Sequence, residues 1–381
     1  MKRILGVLAA FALVLGMLPV RIQAVELDVA GKSAVLMDVE TGTVLYEKNA
    51  HEKLSPASVT KVMTLLLIME AIDAGQLKWE DTVTASETAA AKGGSQVYLK
   101  VGETMTVEEM VKSIAVSSAN DCACAMAELL AGSEASFVER MNQRAAELGM
   151  ADTHFVNCTG LDDGADAANH KTSAHDIGLM SRELLVNHPD IKKFTTIWMD
   201  SVRGGAFGLS NTNKLVRFYE GCTGLKTGFT ASAGYCLSAS ALREGMELIA
   251  VVMGAESSQA RFDACRGMLD YGFANYALYS PEIPAERVAV KMGKAESVAV
   301  EPGESQPLLV EKAQKSQITT RIQLEEQVSA PVSRGQQLGQ AEVLCGEQVL
   351  SRIPLVAGEG VQALSWTDLF TMLLRKTAMA G

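Results

Sequence analysis

The sequence has few positive charges for its size. Its 381 residues include 34 Lys and Arg against 45 Asp and Glu, which gives a formal net charge of −11. No basic run interrupts this acidic chain. Because nucleic-acid binding depends on Lys and Arg that face the phosphate backbone, the composition excludes DNA and RNA as expected partners.

Histidine is scarce, and its spacing does not suggest a metal site. The chain has 5 histidines and no His-Glu-x-x-His pattern. The spacing of His170 and His175 would not place both side chains on the same face of a helix, where they could bind one metal ion. We therefore expect no metal and no other cofactor.

The cysteines do not form a disulfide framework. There are 7 of them, an odd number, and they are scattered through a large region. Cys122 and Cys124 would point to nearly opposite sides of a helix, so they cannot hold a metal together. We predict buried, reduced thiols.

One long apolar run stands at the start of the chain. Lys2 and Arg3 precede the apolar stretch Leu5–Leu18, which Pro19 interrupts. A membrane span needs about 20 apolar residues, so the run is short for that role and is typical of a signal peptide. We predict a signal peptide over residues 1–24. The rest of the chain is long enough for two domains.

The pattern after the signal predicts an α+β domain over residues 25–281. Ser33–Val39 and Val44–Lys48 have the alternation of a β-hairpin. Helical spacing and further strand-like runs follow, so helices lie between strands at both ends of the region, and we expect one sheet covered by helices. The predicted helices are Ser58–Ile72, Val107–Val116, Asp121–Leu130, Ser136–Leu148, Ala174–Leu185 and Arg261–Tyr276, and the later strands are Leu225–Thr230, Gly234–Ala241 and Glu247–Met253.

Pro281 marks a change of pattern. Short β-like runs separated by turns predict a small all-β domain over residues 282–357. Residues 358–381 are expected to form a linker and an amphipathic helix, in which Trp366, Leu369 and Phe370 share one side. The predicted strands are Arg287–Val290, Ser297–Val300, Ile318–Gln323, Glu342–Leu344 and Gln348–Pro354.

Three short motifs carry the chemistry of the first domain: Ser58–Lys61, Ser118–Asn120 and Lys226–Gly228. Each alone is common. Together they supply a nucleophile, an amine that can accept its proton, a second hydroxyl, a positioning amide and a cation that can bind a carboxylate. This set is typical of acyl-transfer serine enzymes that work without histidine.

Ser58 and Lys61 lie at the predicted start of a helix. Side chains three positions apart on a helix are about 5–6 Å from each other, so Lys61 can reach the Ser58 hydroxyl. The structural alternative makes Ser58 an N-cap, but a capping box needs Glu or Gln where Lys61 stands, and a cation opposes the helix dipole. Burial and the helix dipole would lower the pKa of Lys61, as a proton acceptor near neutral pH requires.

The second motif falls between two predicted helices. The Ser118 hydroxyl can pass a proton between Lys61 and a leaving amine, and Asn120 can hold Lys61 or the substrate. The alternative is a turn with a side-chain cap, which is the commoner reason for Ser and Asn at such a position.

The third motif lies on a predicted strand. Lys is rare in interior strands, and Gly228 weakens a strand unless something must approach its backbone, as a substrate would. Lys226 and Thr227 can bind a terminal carboxylate. The alternative is an edge-strand lysine that discourages aggregation.

In combination the motifs resemble those of the penicillin-binding D-alanyl-D-alanine carboxypeptidases, serine-type enzymes of low molecular mass. The resemblance runs from about residue 27 to the C-terminal helix. It is specific in the first domain and only architectural in the second, and Ala119 stands where the family more often has Gly. The segments that carry it are Pro56–Thr64, Ser118–Asp121, Gly224–Thr230, Thr159–Asp163, Asn211–Leu215 and Ala233–Tyr235, and His170–Ala174 resembles a family segment that starts a helix by capping or packing.

The resemblance implies a penicillin-recognising serine transpeptidase/β-lactamase-like domain, and with it a mechanism. Ser58 would attack the carbonyl between the terminal D-alanines of a peptidoglycan stem peptide, Lys61 would act as the general base, Ser118 would relay a proton to the departing D-alanine, and Asn120 would position the site. A β-lactam would acylate the same serine. The implied substrate-binding residues are Lys226, Thr227, Gly228, Phe229 and Arg261, and the backbone N–H groups of Ser58 and Phe229 would form the oxyanion hole.

Three alternatives stay open at this point. A serine β-lactamase of the common type needs an additional Glu, and residues 148–182 contain none. A transpeptidase would share the acyl-enzyme and differ only in the acceptor. A wall-binding protein without catalysis would not need the complete set of polar groups.

The resemblance also implies where the protein works. We expect export to the extracytoplasmic face of the cytoplasmic membrane or the cell wall. The C-terminal helix is expected to associate with the membrane surface through Trp366 and Phe370, beside the basic Arg375 and Lys376. The β domain would then be a spacer that sets the height of the active site.

Overall fold

The computed structural model describes residues 27–379. The predicted signal peptide over residues 1–24 therefore lies outside the described residues. Within residues 27–379, no helix combines the length and the apolar character needed to cross a bilayer.

An antiparallel five-stranded sheet forms the centre of the first region. The central strand, Met246–Ala255, is almost continuously apolar because both of its faces are covered. Ile249 and Val251 point into one core, and Leu248 and Ala250 into the other. In spatial order the strands are Val44–Lys48, Ser33–Asp38, Met246–Ala255, Gly234–Arg243 and Cys222–Thr230.

Helices cover both faces of this sheet. One face packs against the larger group of helices and the other against Ser258–Asn275, so the predicted α+β architecture is confirmed. The helices of the region are Lys61–Asp73, Glu87–Ala90, Val107–Ser117, Asn120–Ala131, Glu134–Glu147, Ala174–Asn187, Lys192–Thr195, Leu215–Phe218 and Ser258–Asn275.

Side-chain caps explain where several helices begin. Ser257 accepts a hydrogen bond from the Ala260 amide. The helix Ser258–Asn275 therefore begins three residues before the predicted start at Arg261. Ser173 accepts a bond from the Asp176 amide and starts the next-to-last long helix at Ala174, as predicted. Each cap satisfies an amide that has no partner within the helix.

Two short strand pairs interrupt the helical layer, and the sequence pattern did not predict them. Thr82–Thr84 pairs with Thr104–Thr106, and Met199–Val202 pairs with Phe207–Ser210. Three or four residues are too few to display a clear alternation.

The second region is a six-stranded sheet, and the predicted all-β character is confirmed. The prediction missed Leu308–Glu311 and Gln327–Ser329. Leu308–Glu311 pairs with Tyr276–Tyr279, which directly follows the last helix and joins the two regions. The six strands in spatial order are Ile318–Leu324, Gln337–Cys345, Gln348–Ala357, Ser297–Pro302, Glu286–Lys291 and Gln327–Ser329.

The last described element is the helix Trp366–Met379. Ser365 caps it by accepting a hydrogen bond from the Asp368 amide. Trp366 is 88% exposed, and Phe370 and Met372 are also exposed, so none of the described residues covers these apolar side chains.

Candidate active site

Ser58 lies on a tight turn, not at the first position of an α-helix as predicted. Ala57–Thr60 is a single 3₁₀ turn, here called the nucleophile turn, and the α-helix begins at Lys61. Ala57 has a φ of 48°, a left-handed conformation that is strained for alanine. The alternative reading of Ser58 as a helix cap is wrong, because neither the turn nor the helix has a side-chain cap.

Lys61 reaches Ser58 as the spacing predicts. Its ammonium nitrogen donates a hydrogen bond of 2.9 Å to the Ser58 oxygen and one of 2.7 Å to the carbonyl of Thr159. Lys61 is fully buried, whereas Ser58 is partly exposed. Burial lowers the pKa of Lys61 to about 7, although Cys158 and Asp121 act in the opposite direction. A buried amine with such a pKa can take a proton from the adjacent serine.

Thr159 is a site residue to which the sequence assigned no role, although the segment Thr159–Asp163 contributes to the family resemblance. Its carbonyl fixes Lys61, a role that the prediction had offered to Asn120. Every residue has a carbonyl, so no side-chain pattern could have revealed this contact.

Ser118 ends the helix Val107–Ser117 in a left-handed conformation, with a φ of 64°. Glycine is the usual residue in this position. The Ser118 oxygen is buried and has no hydrogen-bond partner among residues 27–379. A buried hydroxyl without a partner is costly, and such groups concentrate where a ligand completes the bonding.

Asn120 begins the next helix and organises a neighbouring loop. Its backbone amide donates to the carbonyl of Ser95, and its side-chain amide donates to the carbonyl of Gly93, both at 2.7 Å. The buried Asp121 holds the same loop by accepting the Leu99 amide at 3.0 Å. The side-chain oxygen of Asn120 has no partner within the described part of the chain.

Lys226 and Thr227 lie on the edge strand Cys222–Thr230, in the middle of its length. Lys226 is 1% exposed, so the alternative of a solvated edge-strand lysine is wrong. Its ammonium donates to the Thr227 carbonyl at 2.9 Å, and the Thr227 hydroxyl donates to Thr212 at 2.7 Å. The pKa of Lys226 is well below its ordinary value because the group is buried and because Lys61 and Arg261 are positively charged neighbours.

Gly228 permits a close approach, although the approaching group differs from the expected one. A Cβ atom built there would lie 2.6 Å from the Pro56 carbonyl oxygen and 3.0 Å from the Ser58 nitrogen. The edge strand therefore packs directly on the nucleophile turn at Gly228. Phe229 is the next residue of this strand. The Phe229 ring is exposed and stacks on Tyr235 at 4.3 Å between centroids.

Arg261 supports the edge strand from the helix Ser258–Asn275. Its guanidinium donates to the carbonyls of Gly228 at 2.8 Å and Cys236 at 3.1 Å. Arg261 is buried, burial lowers its pKa, and its Nε has no partner within residues 27–379. Arg261, Lys61 and Lys226 bring three basic side chains to the site, and an anionic ligand would favour their protonated forms.

The cysteines contribute no disulfide. All seven are free, and the prediction of buried thiols is confirmed for five of them, while Cys222 and Cys345 are partly exposed. Cys122 and Cys124 are both buried because the helix Asn120–Ala131 is covered on nearly every side.

One group of potential metal ligands lies away from this site. Glu70, Glu183 and His188 place their ligand atoms within 4.8 Å of one another. Arg144 donates to Glu70 at 2.7 Å and to Glu183 at 2.6 Å. The guanidinium thus supplies the positive charge at the place where a metal ion would bind.

Two family models and several known proteins match this chain. The model of the D-alanyl-D-alanine carboxypeptidase family matches residues 20–257, and that of the C-terminal domain of penicillin-binding protein 5 matches residues 273–363. D-alanyl-D-alanine carboxypeptidase DacF of Bacillus subtilis (strain 168) is 42% identical over 344 residues, which cover 88% of this chain and 87% of the relative. DacC of Escherichia coli (strain K12) is 32% identical over 88% of this chain and 85% of its own.

Solved structures share the architecture. Penicillin-binding protein 5 from Haemophilus influenzae has a TM-score of 0.73 and 28% identity, with 88% of this chain and 98% of that chain covered. Penicillin-binding protein D2 from Listeria monocytogenes, in its ampicillin-bound form, has a TM-score of 0.59 and 32% identity, with 65% of this chain and 99% of that chain covered. This chain belongs to the D-alanyl-D-alanine carboxypeptidase family.

Proposed function

We propose that this protein is a serine-type D-Ala-D-Ala carboxypeptidase that removes the terminal D-alanine from peptidoglycan stem pentapeptides. The observation that carries the proposal is the 2.9 Å hydrogen bond between the buried Lys61 ammonium and the partly exposed Ser58 hydroxyl. Binding of β-lactams at the same serine follows from the same contact, and the ampicillin-bound relative supports it.

Acylation begins when Lys61, in its neutral form, takes the Ser58 proton. The serine oxygen bonds to the carbonyl carbon between the two D-alanines, and the backbone N–H groups of Ser58 and Phe229 stabilise the oxyanion. Each such donor contributes about 3–4 kcal/mol in comparable sites. The C–N bond then breaks, and the proton passes from Lys61 through Ser118 to the leaving amine.

The substrate carboxylate binds beside the reacting bond. Lys226 and Thr227 supply a cation and a hydroxyl, and the neighbouring Arg261 adds positive charge. Water then attacks the acyl carbon of the acyl-enzyme while Lys61 accepts a proton from that water. Lys61 returns the proton to the Ser58 oxygen as the ester bond breaks. The Ser118 hydroxyl and the Asn120 side-chain oxygen, which have no hydrogen-bond partner within the described residues, support this assignment, because a bound peptide would satisfy both.

Two measurements with purified protein test the function. Incubation with labelled penicillin followed by mass spectrometry should find an adduct on Ser58, and a pentapeptide ending in D-Ala-D-Ala should release free D-alanine. Ser58→Ala should abolish both. D-Alanine release that depends on an added acceptor amine, with the acyl group recovered on that amine and not on water, would identify a transpeptidase. Absence of any adduct would favour a wall-binding protein without catalysis.

We further propose that residues 1–24 direct export and that the C-terminal helix associates with the outer face of the membrane. The exposed Trp366 and Phe370 support the second part, because a helix with uncovered aromatic side chains on one side gains stability in a membrane interface. The six-stranded sheet would then separate the active site from the membrane surface.

Sedimentation with anionic vesicles tests the membrane proposal. Deletion of residues 362–381 should release the protein, and the double substitution Trp366→Ser and Phe370→Ser should weaken sedimentation without changing acylation. Unchanged sedimentation of the deletion variant would refute the role of the helix. N-terminal sequencing of the exported protein tests the cleavage, and a mature chain that begins at Met1 would refute it.

A further inference from the structure

His170 is buried beside the nucleophile turn and has hydrogen-bond partners on both ring nitrogens. It is 3% exposed and lies just before the helix Ala174–Asn187. Its Nε2 is 2.8 Å from the hydroxyl of Thr60, and its Nδ1 is 3.1 Å from the Val156 amide. The sequence had suggested only capping or packing for this segment.

The directions of these hydrogen bonds fix the tautomer of the ring. The Val156 N–H can only donate, so Nδ1 accepts and the proton of the neutral ring is on Nε2. Nε2–H therefore donates to the Thr60 oxygen. The Thr60 hydroxyl in turn donates to the Ala57 carbonyl at 2.8 Å. Burial, assisted by the charges of His154, Lys171 and Lys61, lowers the pKa of His170 to about 4, so the ring stays neutral at physiological pH.

These contacts connect the two segments that hold the catalytic pair. Thr60 and Ala57 belong to the nucleophile turn, which carries Ser58. Val156 begins the segment that supplies the Thr159 carbonyl to Lys61. A shift of one segment relative to the other would change the geometry of Ser58, Lys61 and the Thr159 carbonyl together.

The strained conformation of Ala57 makes this connection necessary. Its positive φ is not the preferred conformation of alanine, and such a conformation persists only where the surroundings enforce it. The bond from Thr60 orients the Ala57 carbonyl, and His170 orients the Thr60 hydroxyl. Gly160 packs so closely that a Cβ atom there would lie 1.8 Å from the Ala57 oxygen.

We propose that His170 is a positioning residue for acylation: its neutral ring holds the nucleophile turn against the Val156–Gly160 segment and so sets the Ser58–Lys61 contact. His170 does not touch the reacting atoms and takes no proton in the reaction. This inference rests on the proposed function, since it concerns how the same serine becomes acylated.

Two substitutions separate the two hydrogen bonds of the ring. The side-chain amide nitrogen of Gln overlies Nε2 and can donate to Thr60, whereas the side-chain oxygen of Asn overlies Nδ1 and can accept only from Val156. His170→Asn should therefore lower the rate constant of acylation by fluorescent penicillin by about ten- to a hundredfold, as expected for a slight misplacement of reacting groups. The dissociation constant of the initial penicillin complex should not change. His170→Gln should restore most of the rate.

His188→Gln is the matched control, because His188 is also buried, lies at the other end of the same helix and bonds to Asp73. It should lower the unfolding midpoint without slowing acylation. Thr60→Val provides a second test that keeps the size of the side chain. Thr60→Val should slow acylation as His170→Asn does. The double variant that combines the two substitutions should acylate no more slowly than the slower of the two single variants.

Three outcomes would overturn the inference. The Asn and Gln variants could lose the same share of the acylation rate, or the effects of His170→Asn and Thr60→Val could be additive. The decrease in acylation rate could also simply follow the decrease in the unfolding midpoint. Normal acylation of His170→Asn would overturn it as well, while leaving the proposed function intact. Failure of the unaltered protein to form an adduct in the same assay would instead reject the proposed function.

Discussion

At the scale of single residues, Lys61 holds the candidate site together, because its buried ammonium contacts both the Ser58 oxygen and the Thr159 carbonyl. The interval between Ser58 and Lys61 was enough to predict their contact, because local geometry determines it. Thr159 contributes only a carbonyl, and Thr212 contacts Thr227 from a distant segment. Such partners depend on the tertiary structure, which no local pattern encodes.

The pKa of Lys61 leads to a prediction about pH. The neutral amine is the active form of the base, so the acylation rate should rise about tenfold per pH unit below the pKa, which is about 7, and become constant above it. The measurement is the rate constant of acylation at saturating penicillin between pH 5 and 9, with thermal unfolding followed in parallel. A flat profile over this range would contradict the assignment of Lys61 as the base.

Lys61→Arg is the companion variant for this prediction. A guanidinium stays protonated at every pH in that range, so acylation should be lost even though the positive charge is kept. If the Arg variant acylates with the same pH dependence as the unaltered protein, another group is the base.

At the scale of elements, periodicity predicted the long helices and the main strands, whereas contacts between elements came only from the structure. Two chain segments pack against the nucleophile turn, and each contacts it at a glycine. Gly160 contacts it from one side and Gly228 from the other. The sequence showed both glycines, but the reason for each is a neighbour about a hundred or more positions away in the chain.

Gly160→Ala should therefore damage the site through the turn. The added methyl group would overlap the Ala57 carbonyl, and the positive φ of Gly160 adds strain. We expect a loss of about 1–3 kcal/mol in the free energy of unfolding and a large decrease in the acylation rate. Gly164→Ala is the control, because a Cβ atom there has no neighbour within 4 Å. Equal behaviour of the two variants in denaturant unfolding and penicillin labelling would refute this account.

At the scale of the whole molecule, the residues of the candidate site all lie in the first region, before Pro281. The sequence predicted the change near Pro281 from turn residues and short runs. It did not predict that Tyr276–Tyr279 and Leu308–Glu311 pair across the change, because the two strands are separated by a long interval.

A chain that ends at residue 281 should test this division. We expect penicillin labelling of Ser58 at a rate close to that of the full-length protein, since the site residues all precede the cut. The unfolding midpoint should fall, because Tyr276–Tyr279 loses its partner strand. A shortened protein that keeps a native circular dichroism spectrum but fails to label would show that the second region contributes to the site.

The crowding of Lys226 by other cations has one more consequence. With its pKa well below the ordinary value, this amine binds a proton weakly while the cleft is empty. An incoming carboxylate would raise the pKa of Lys226, so docking of the peptide should be accompanied by net uptake of protons from solution. Alkaline conditions would then weaken binding of the peptide even as they favour the attack by Ser58. Isothermal titration calorimetry in buffers with different heats of ionisation would measure the proton uptake.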